Sequence, residues 1–378
     1  DLQNLIGNRE EILKAEVGSL LFNLGKTHIG FWREKYGEKY FDVDDTAFEN
    51  IFGFKPFKGY ESYHKIDRDG KSPFEFELEK FNLKHFILNQ KVNLPDKTYI
   101  CWIEFFKGGA SGEEFIQQVF FKGCENVNSG IDKGFPKAQI KASLWLSNAF
   151  GSLKKNIEEK DLDQRRLCFF KTLSVFLNEN NYLEQPKWEE IRNFVLEKVK
   201  KWYSKLLSDS RFPVNDVSLW DQAYMTSSMF KAALASSYLN SSLLNNYKDK
   251  PTSIKWRILG IQYDKLGLAE KGLKPSQIRW YREAVEKIDN EIKNLLEIEY
   301  PIGNEVYRDE TGIYFVVGEN IGEDKGDFAE LRQDLKEIQE RILDLFKEMS
   351  DDEFYPAVFL TKASSGLMNL TYLLEKAK

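Results

Sequence analysis

The chain has 378 residues, of which 42% are hydrophobic and 14% aromatic, the composition of a folded protein of two or three domains rather than a disordered one. Lysine and arginine number 54 against 60 aspartates and glutamates, a net charge of −6, which disfavours a non-specific nucleic-acid coat but leaves room for a local basic groove. Cys101, Cys124 and Cys168 are widely spaced without a Cys-x-x-Cys pair, so they imply neither a zinc cluster nor a disulfide framework and suit a reducing cytoplasm.

No signal peptide is visible and no apolar run approaches membrane-spanning length, so no membrane partner is expected. The chain begins at Asp1 rather than Met, and a trimmed or partial version of a longer product is expected.

The first two-thirds reads as mainly helical. Glu10 to Leu24 has helical apolar spacing and stops near Gly25, a reasonable helix end. The aromatic and glycine-rich stretch from Phe52 to Tyr63 is loop-like, as is Gly70 to Phe74. Thr98 to Phe106 fits a buried strand or a short helix, and periodicity does not decide between them. Gly123 to Pro136 reads as a long turn-rich loop, with helices resuming from Leu144, Asp161, Pro186 and Leu219. Glu197 to Lys205 is the most basic helical segment and reads first as a solvated face. Lys248 to Ser253, polar and proline-containing, is the best domain boundary.

Beyond that boundary Ile254 to Tyr263 alternates and is rich in β-branched and aromatic residues, a predicted strand ending at Asp264. Lys274-Pro275-Ser276 signals a helix start with Ser276 as N-cap. Ile278, Tyr281, Val285, Ile288, Ile292 and Leu295 then form one helical stripe. Tyr300 to Val317 predicts two short strands joined by a tight turn, with Asp309 and Glu310 at the tip. Phe328, Leu331, Leu335, Ile338, Ile342 and Leu345 predict a second helix, and Ala357 to Leu360 a last strand after the acidic turn Ser350 to Glu353. The order strand, helix, strand, strand, helix, strand is that of a split βαβ, ferredoxin-like unit.

In that topology Asp264 and the Asp309/Glu310 tip converge. Carboxylates there suit a hard cation such as Mg²⁺ bridging to nucleotide phosphates. The bland reading is equally concrete, since Asp309-Glu-Thr-Gly312 is also an ordinary way to close a hairpin. The fold alone establishes no activity.

Four segments together resemble the large polymerase-like subunit of type III CRISPR effector complexes, the Cas-ten family, and within it a Csx-eleven-like branch. They are Ala15 to Lys26, Leu219 to Ser228, Gly303 to Gly312 and Phe359 to Met368, in the order that family shows. The resemblance implies RNA-guided antiviral defence, an HD-type phosphohydrolase domain cleaving single-stranded DNA, and cyclic oligoadenylate synthesis from ATP between two palm domains.

The residues modify both activities. Where the His-Asp pair of an HD site is expected the chain has Phe22-Asn23, and where Trp-Asp-His is expected it has Trp220-Asp221-Gln222. Only His28, His64 and His85 are present, too few for the metal chemistry such a site needs. An inactive HD-like scaffold is expected, with Asp221 a helix cap or structural hydrogen-bond partner. The catalytic Gly-Gly-Asp-Asp hairpin belongs to the family's second palm and is absent here, and half a site does not suffice for phosphoryl transfer. Asp264, Asp309 and Glu310 are therefore candidates for assisting nucleotide or metal binding, with no catalytic set and no protein metal centre assigned.

The expected organisation is α+β: a helical, degenerate HD-like domain over 1–250, a ferredoxin-like palm over 251–365, and the start of a linker or helix over 366–378. The expected function is a scaffold component of a type III CRISPR ribonucleoprotein, partnered by other effector subunits, guide RNA and target RNA. ATP and Mg²⁺ are expected at the palm only if a second palm completes the site, and no zinc is expected in this portion. The alternatives are a stand-alone palm-type nucleotidyl cyclase and a non-catalytic helical interaction module.

Overall fold

The computed structural model describes residues 2–36, 46, 49–50, 73–107, 109, 111–132, 145–148, 150–158, 160–208, 214–270, 272–350, 352 and 355–378. The predicted loop at Phe52 to Tyr63, residues 133–136 and His64 lie outside the described residues. The protein is α+β, with a largely helical first part and a six-stranded antiparallel sheet in the second.

The sheet contains β1 (Trp256–Gln262), β2 (Gly303–Asp309), β3 (Gly312–Gly318), β4 (Gly322–Lys325), β5 (Phe328–Leu331) and β6 (Ala357–Leu360), in the spatial order β2-β3-β1-β6-β5-β4. Central β3 is buried along its whole length, which is why Ile313 to Val317 reads as one apolar run without alternation. Helices α1 (Arg9–Leu20), α2 (Arg165–Glu179), α3 (Trp188–Tyr203) and α4 (Leu219–Leu239) dominate the first part. Helix α5 (Pro275–Asn294) links β1 to β2, α6 (Lys336–Ser350) precedes β6, and α7 (Leu367–Ala377) closes the chain.

Side-chain parity along β1 shows how the layers stack. The Trp256 indole donates to the Met229 carbonyl of α4 at 2.9 Å. Seven positions on, beyond the strand's end, Tyr263 meets Phe346 of α6 with ring centroids 4.9 Å apart and bonds Asp289 of α5. Helices α5 and α6 thus pack together on one face of the sheet and α4 covers the other. Helix α4 is buried on nearly every side because α1 packs against its far side. One hydrophobic core runs from Leu2 to Leu370 without a break at the polar Lys248 to Ser253 segment, where a short 3-10 turn, Pro251–Ser253, leads into β1.

Several expectations are corrected. Gly123 to Asp132 is helical rather than looped. Asn128 binds the Gln222 carbonyl and the Thr226 hydroxyl of α4 at 3.1 and 2.9 Å, and a Cβ on Gly123 would collide with the Ile254 side chain, so this glycine serves close packing rather than a turn. Trp145–Ser147 is a strand, paired with Lys154–Asn156 and Val214–Asn215, where a helix was expected. Pro73 and Phe74 open a helix, Pro73–Lys80. Thr98 to Phe106 divides into a strand, Tyr99–Cys101, and a helix, Ile103–Lys107.

Phe328 and Leu331 lie on β5 rather than α6, for a physical reason. Ala329 and Leu331 are buried while Phe328 and Glu330 face out, and Gly326 at φ +60° makes the two-residue turn from β4. At the start of α5, Pro275 is the first helical residue, and the Gln277 side chain accepts from the Leu273 and Lys274 amides at 3.0 and 3.1 Å. Ser276 therefore sits inside the helix instead of capping it.

Candidate functional site

The acidic hairpin tip is held first by its own backbone. Asp309 Oδ1 accepts from the Thr311 amide and hydroxyl, both at 2.8 Å, and from the Gly312 amide at 3.0 Å. Burial pushes the Asp309 carboxyl up, but these donors outweigh it and hold the carboxyl below the usual carboxylate range. The end of β1 does meet the tip: the Tyr263 amide donates to the Thr311 carbonyl at 3.0 Å and the Lys265 amide to the Glu310 carbonyl at 3.3 Å. Asp264, however, accepts from the Gly267 amide at 2.8 Å on an exposed turn, and Glu310 is exposed. The segments converge, but among the described residues no group of three metal-ligating side chains forms.

The inward-facing residue at this junction is Lys265. Its ammonium is buried and binds Asp289 Oδ2 at 2.8 Å and the Gly312 carbonyl at 3.0 Å. Asp289 also takes the Tyr263 hydroxyl at 2.7 Å and lies 3.4 Å from Arg308. Asp264 marks the junction in the sequence, whereas its neighbour and an aspartate in the middle of α5 hold it together.

The four positions singled out in the helical part fall into two settings. Asp221 is the N3 residue of a capping box on α4, accepting from the Ser218 amide at 2.9 Å and hydroxyl at 2.7 Å. Gln222 accepts from the Lys26 ammonium at 3.1 Å. Phe22 packs edge-on against Phe120 at 5.0 Å, and Asn23 is buried in the 3-10 turn Leu21–Thr27. His28 is buried with its Nδ1 accepting from the Gly30 amide at 2.9 Å, and His85 is exposed.

Beneath these elements lies a charged network that the sequence reading missed. Glu16 on α1 receives Arg192 of α3 at 2.6 and 2.8 Å, Lys231 of α4 at 2.7 Å and the Asn304 amide of β2 at 2.7 Å. Arg192 also bonds Glu297 at 2.6 Å, and Lys231 reaches Asn304 Oδ1 at 2.8 Å. Two acids balance two bases, all of them buried. Burial alone would raise the Glu16 carboxyl, but Arg192 and Lys231 hold it down to about 2. Burial pulls the Lys231 ammonium down to about 8 against the attraction of Glu16 and Glu297. The available signal was a single charge in an apolar helical run: Lys231 between Met229-Phe230 and Ala232-Ala233, and Glu16 between Ala15 and Val17.

A cleft of about 660 Å³ opens where α3, the start of α4 and β2 meet. Lys200, Trp220, Tyr224, Lys293, Tyr307 and Arg308 are in its lining. Trp220 and Tyr224 stack at 4.8 Å with planes 19° apart, and the Lys200 ammonium is 5.8 Å from the Trp220 ring. Arg308 and Lys293 are partly neutralised by Glu305, at 2.7 and 3.3 Å. Segments far apart in the sequence, Leu219 to Ser228 and Gly303 to Gly312, therefore face one another across this cleft. Its rings and cations offer stacking and phosphate contacts, a chemistry of binding rather than of bond cleavage.

No protein-family model matches the chain, and no curated protein matches it either.

Proposed function

We propose that the chain is a non-catalytic scaffold component of a type III CRISPR effector complex, the large-subunit type that the sequence resembles. The observation that carries this reading is the sheet: β1, β2, β3 and β6 in the order β2-β3-β1-β6, with α5 and α6 together on one face. In this reading it is a ferredoxin-like palm, and the helical layer behind it is an HD-like domain whose ligand positions are Phe22, Asn23, Asp221 and Gln222. The cleft lined by Trp220 and Tyr307 is the surface assigned to RNA or a neighbouring subunit. Asp264, Asp309 and Glu310 assist ATP and Mg²⁺ only when a second palm is supplied.

The reading is tested by expressing the chain with and without the remaining proteins and guide RNA of its locus. The expected result is co-purification with RNA and several subunits, and no ATP turnover or single-stranded DNA cleavage by the isolated chain with Mg²⁺, Mn²⁺, Ni²⁺ or Co²⁺. ATP turnover by the isolated chain, lost in Asp309→Ala, would instead establish a stand-alone cyclase. DNA cleavage lost in Asp221→Ala would restore an active phosphohydrolase.

A further inference from the structure

The scaffold role leaves the cleft open to RNA or to a neighbouring subunit, and its two walls differ in chemistry. One wall is the end of α3. Its last turn carries Lys200 and Lys201, part of the most basic helical segment of the sequence. Glu197, the acid one turn back, is taken by Lys201 at 2.6 Å and Lys198 at 3.6 Å. Lys200 is exposed in the cleft lining and has no carboxylate partner among the described residues.

The other wall is β2. Tyr307 is 56% exposed there, and its ring is backed by Tyr314 at 5.7 Å with planes 33° apart. The Tyr314 hydroxyl is itself held by the Thr311 hydroxyl at 3.0 Å, so Tyr307 is a braced ring with most of its surface open. The remaining acids of the lining are already engaged. Glu305 holds Arg308 and Lys293, and Asp221 is spent on the α4 capping box. The charge left to a ligand is therefore cationic and lies on α3, while the open ring lies on β2. An extended peptide would dock by adding a strand to the edge of β2, but that edge is closed. The Glu305 amide donates to Glu297 Oε1 at 2.8 Å and its carbonyl accepts from the Tyr224 hydroxyl at 2.9 Å. The strand register also breaks between Glu305 and Tyr307, a further bar to strand addition. A single nucleic-acid strand needs no backbone pairing, only cations on one side and rings on the other.

Building on the scaffold role proposed above, we infer that the cleft binds single-stranded nucleic acid, with phosphates along Lys200 and Lys201 and a base stacked on Tyr307. Stacking accepts any base because each has a π-face, so the site tolerates any sequence. A duplex keeps its bases stacked on one another and leaves Tyr307 nothing to hold. RNA and DNA strands present the same phosphates and ring faces.

The test follows fluorescence anisotropy of labelled strands of about ten nucleotides titrated with the full chain, as RNA, as DNA and as the corresponding duplexes. Single strands of unrelated sequence are expected to bind with similar affinity and at least about tenfold more tightly than the duplexes, and the tighter of RNA and DNA identifies the source. Tyr307→Ala is expected to weaken binding about tenfold with Tm unchanged, while Tyr307→Phe keeps it. Lys200→Ala is expected to flatten the slope of log affinity against log salt by about 0.7, one phosphate contact fewer. Absence of strand binding, duplexes bound as tightly as single strands, or native affinity in Tyr307→Ala would each overturn the inference. So would a Tyr307→Ala chain that keeps its strand but loses a protein subunit on co-purification, which makes the cleft a protein contact. A native chain that binds strands yet co-purifies with no subunit of its locus supports the inference and overturns the scaffold role alone.

Discussion

Glu16 and Arg192 stand 176 positions apart and meet in a two-point contact, Nε to Oε2 at 2.6 Å and Nη2 to Oε1 at 2.8 Å. The same guanidinium extends to Glu297 at 2.6 Å, so one arginine ties α1, α3 and the turn before β2. Arg192→Met would leave the buried Glu16 carboxylate to Lys231 and that of Glu297 to the half-exposed Lys293, 3.8 Å away. Breaking a buried pair from one side costs about 3–5 kcal/mol, and chemical denaturation of the variant should show a loss of that order.

The same network sets an acid limit. The Glu16 carboxyl is held at about 2 in the fold against 4.5 for the free group. The unfolded chain therefore binds more protons between those values, so stability is full above pH 4.5 and is lost as pH falls towards 2. The loss attributable to Glu16 is on the order of 3 kcal/mol. Denaturation midpoints measured between pH 6 and pH 2.5 should fall steeply in the native protein and less steeply in Glu16→Gln.

Lys265 predicts a local effect at the hairpin. Replacing it with Met removes the bonds to Asp289 and to the Gly312 carbonyl, while Tyr263 and Arg308 still partner Asp289. A cost of about 2–3 kcal/mol is expected. Hydrogen exchange should quicken first at residues 309–314, before the rest of β3.

Asp309 separates a turn residue from a catalytic one. Asn keeps an oxygen that can accept from Thr311 and Gly312, so Asp309→Asn should stay within about 0.5 kcal/mol of the native stability. Asp309→Ala should lose about 1 kcal/mol. Thermal unfolding of the two variants distinguishes these outcomes.

Gly318 predicts the tightness of the interface between sheet and helix. A Cβ there would run into Ser236 Oγ and the Ala232 carbonyl of α4, and the backbone cannot yield cheaply. Gly318→Ala should destabilise by about 1–3 kcal/mol, read as a lowered Tm.

The second half was the more readable in sequence. Ile254 to Tyr263 and Tyr300 to Val317 give β1, β2 and β3 because their β-branched and aromatic content and the Asp-Glu-Thr-Gly turn agree with the tertiary fold. The β4–β5 hairpin was missed because Phe328, Leu331 and Leu335 imitate a helical step while the buried side alternates through Ala329 and Leu331. Gly326-Asp327 was the turn signal left unused. Asp221 was expected as a helix cap or structural hydrogen-bond partner, and in the structure it is the N3 partner of the Ser218 N-cap. The charged network was not legible, because nothing local pairs Glu16 with Arg192, Lys231 and Asn304. Only the packing of α1, α3 and α4 onto β2 does so.

Helix α4 has one side on the sheet and the other on α1, so it is a party wall. A gene cut at the polar Lys248 to Ser253 segment would hand that wall to one neighbour and strip the other to solvent. The fragment beginning at β1 would expose the apolar face around Trp256 and Val316 and should aggregate. The helical fragment would carry Lys231 and Glu16 without Asn304. Despite an inviting linker, the two layers are heritable only as a single unit, and any shorter version of this protein must keep Leu219 to Leu239 with the sheet.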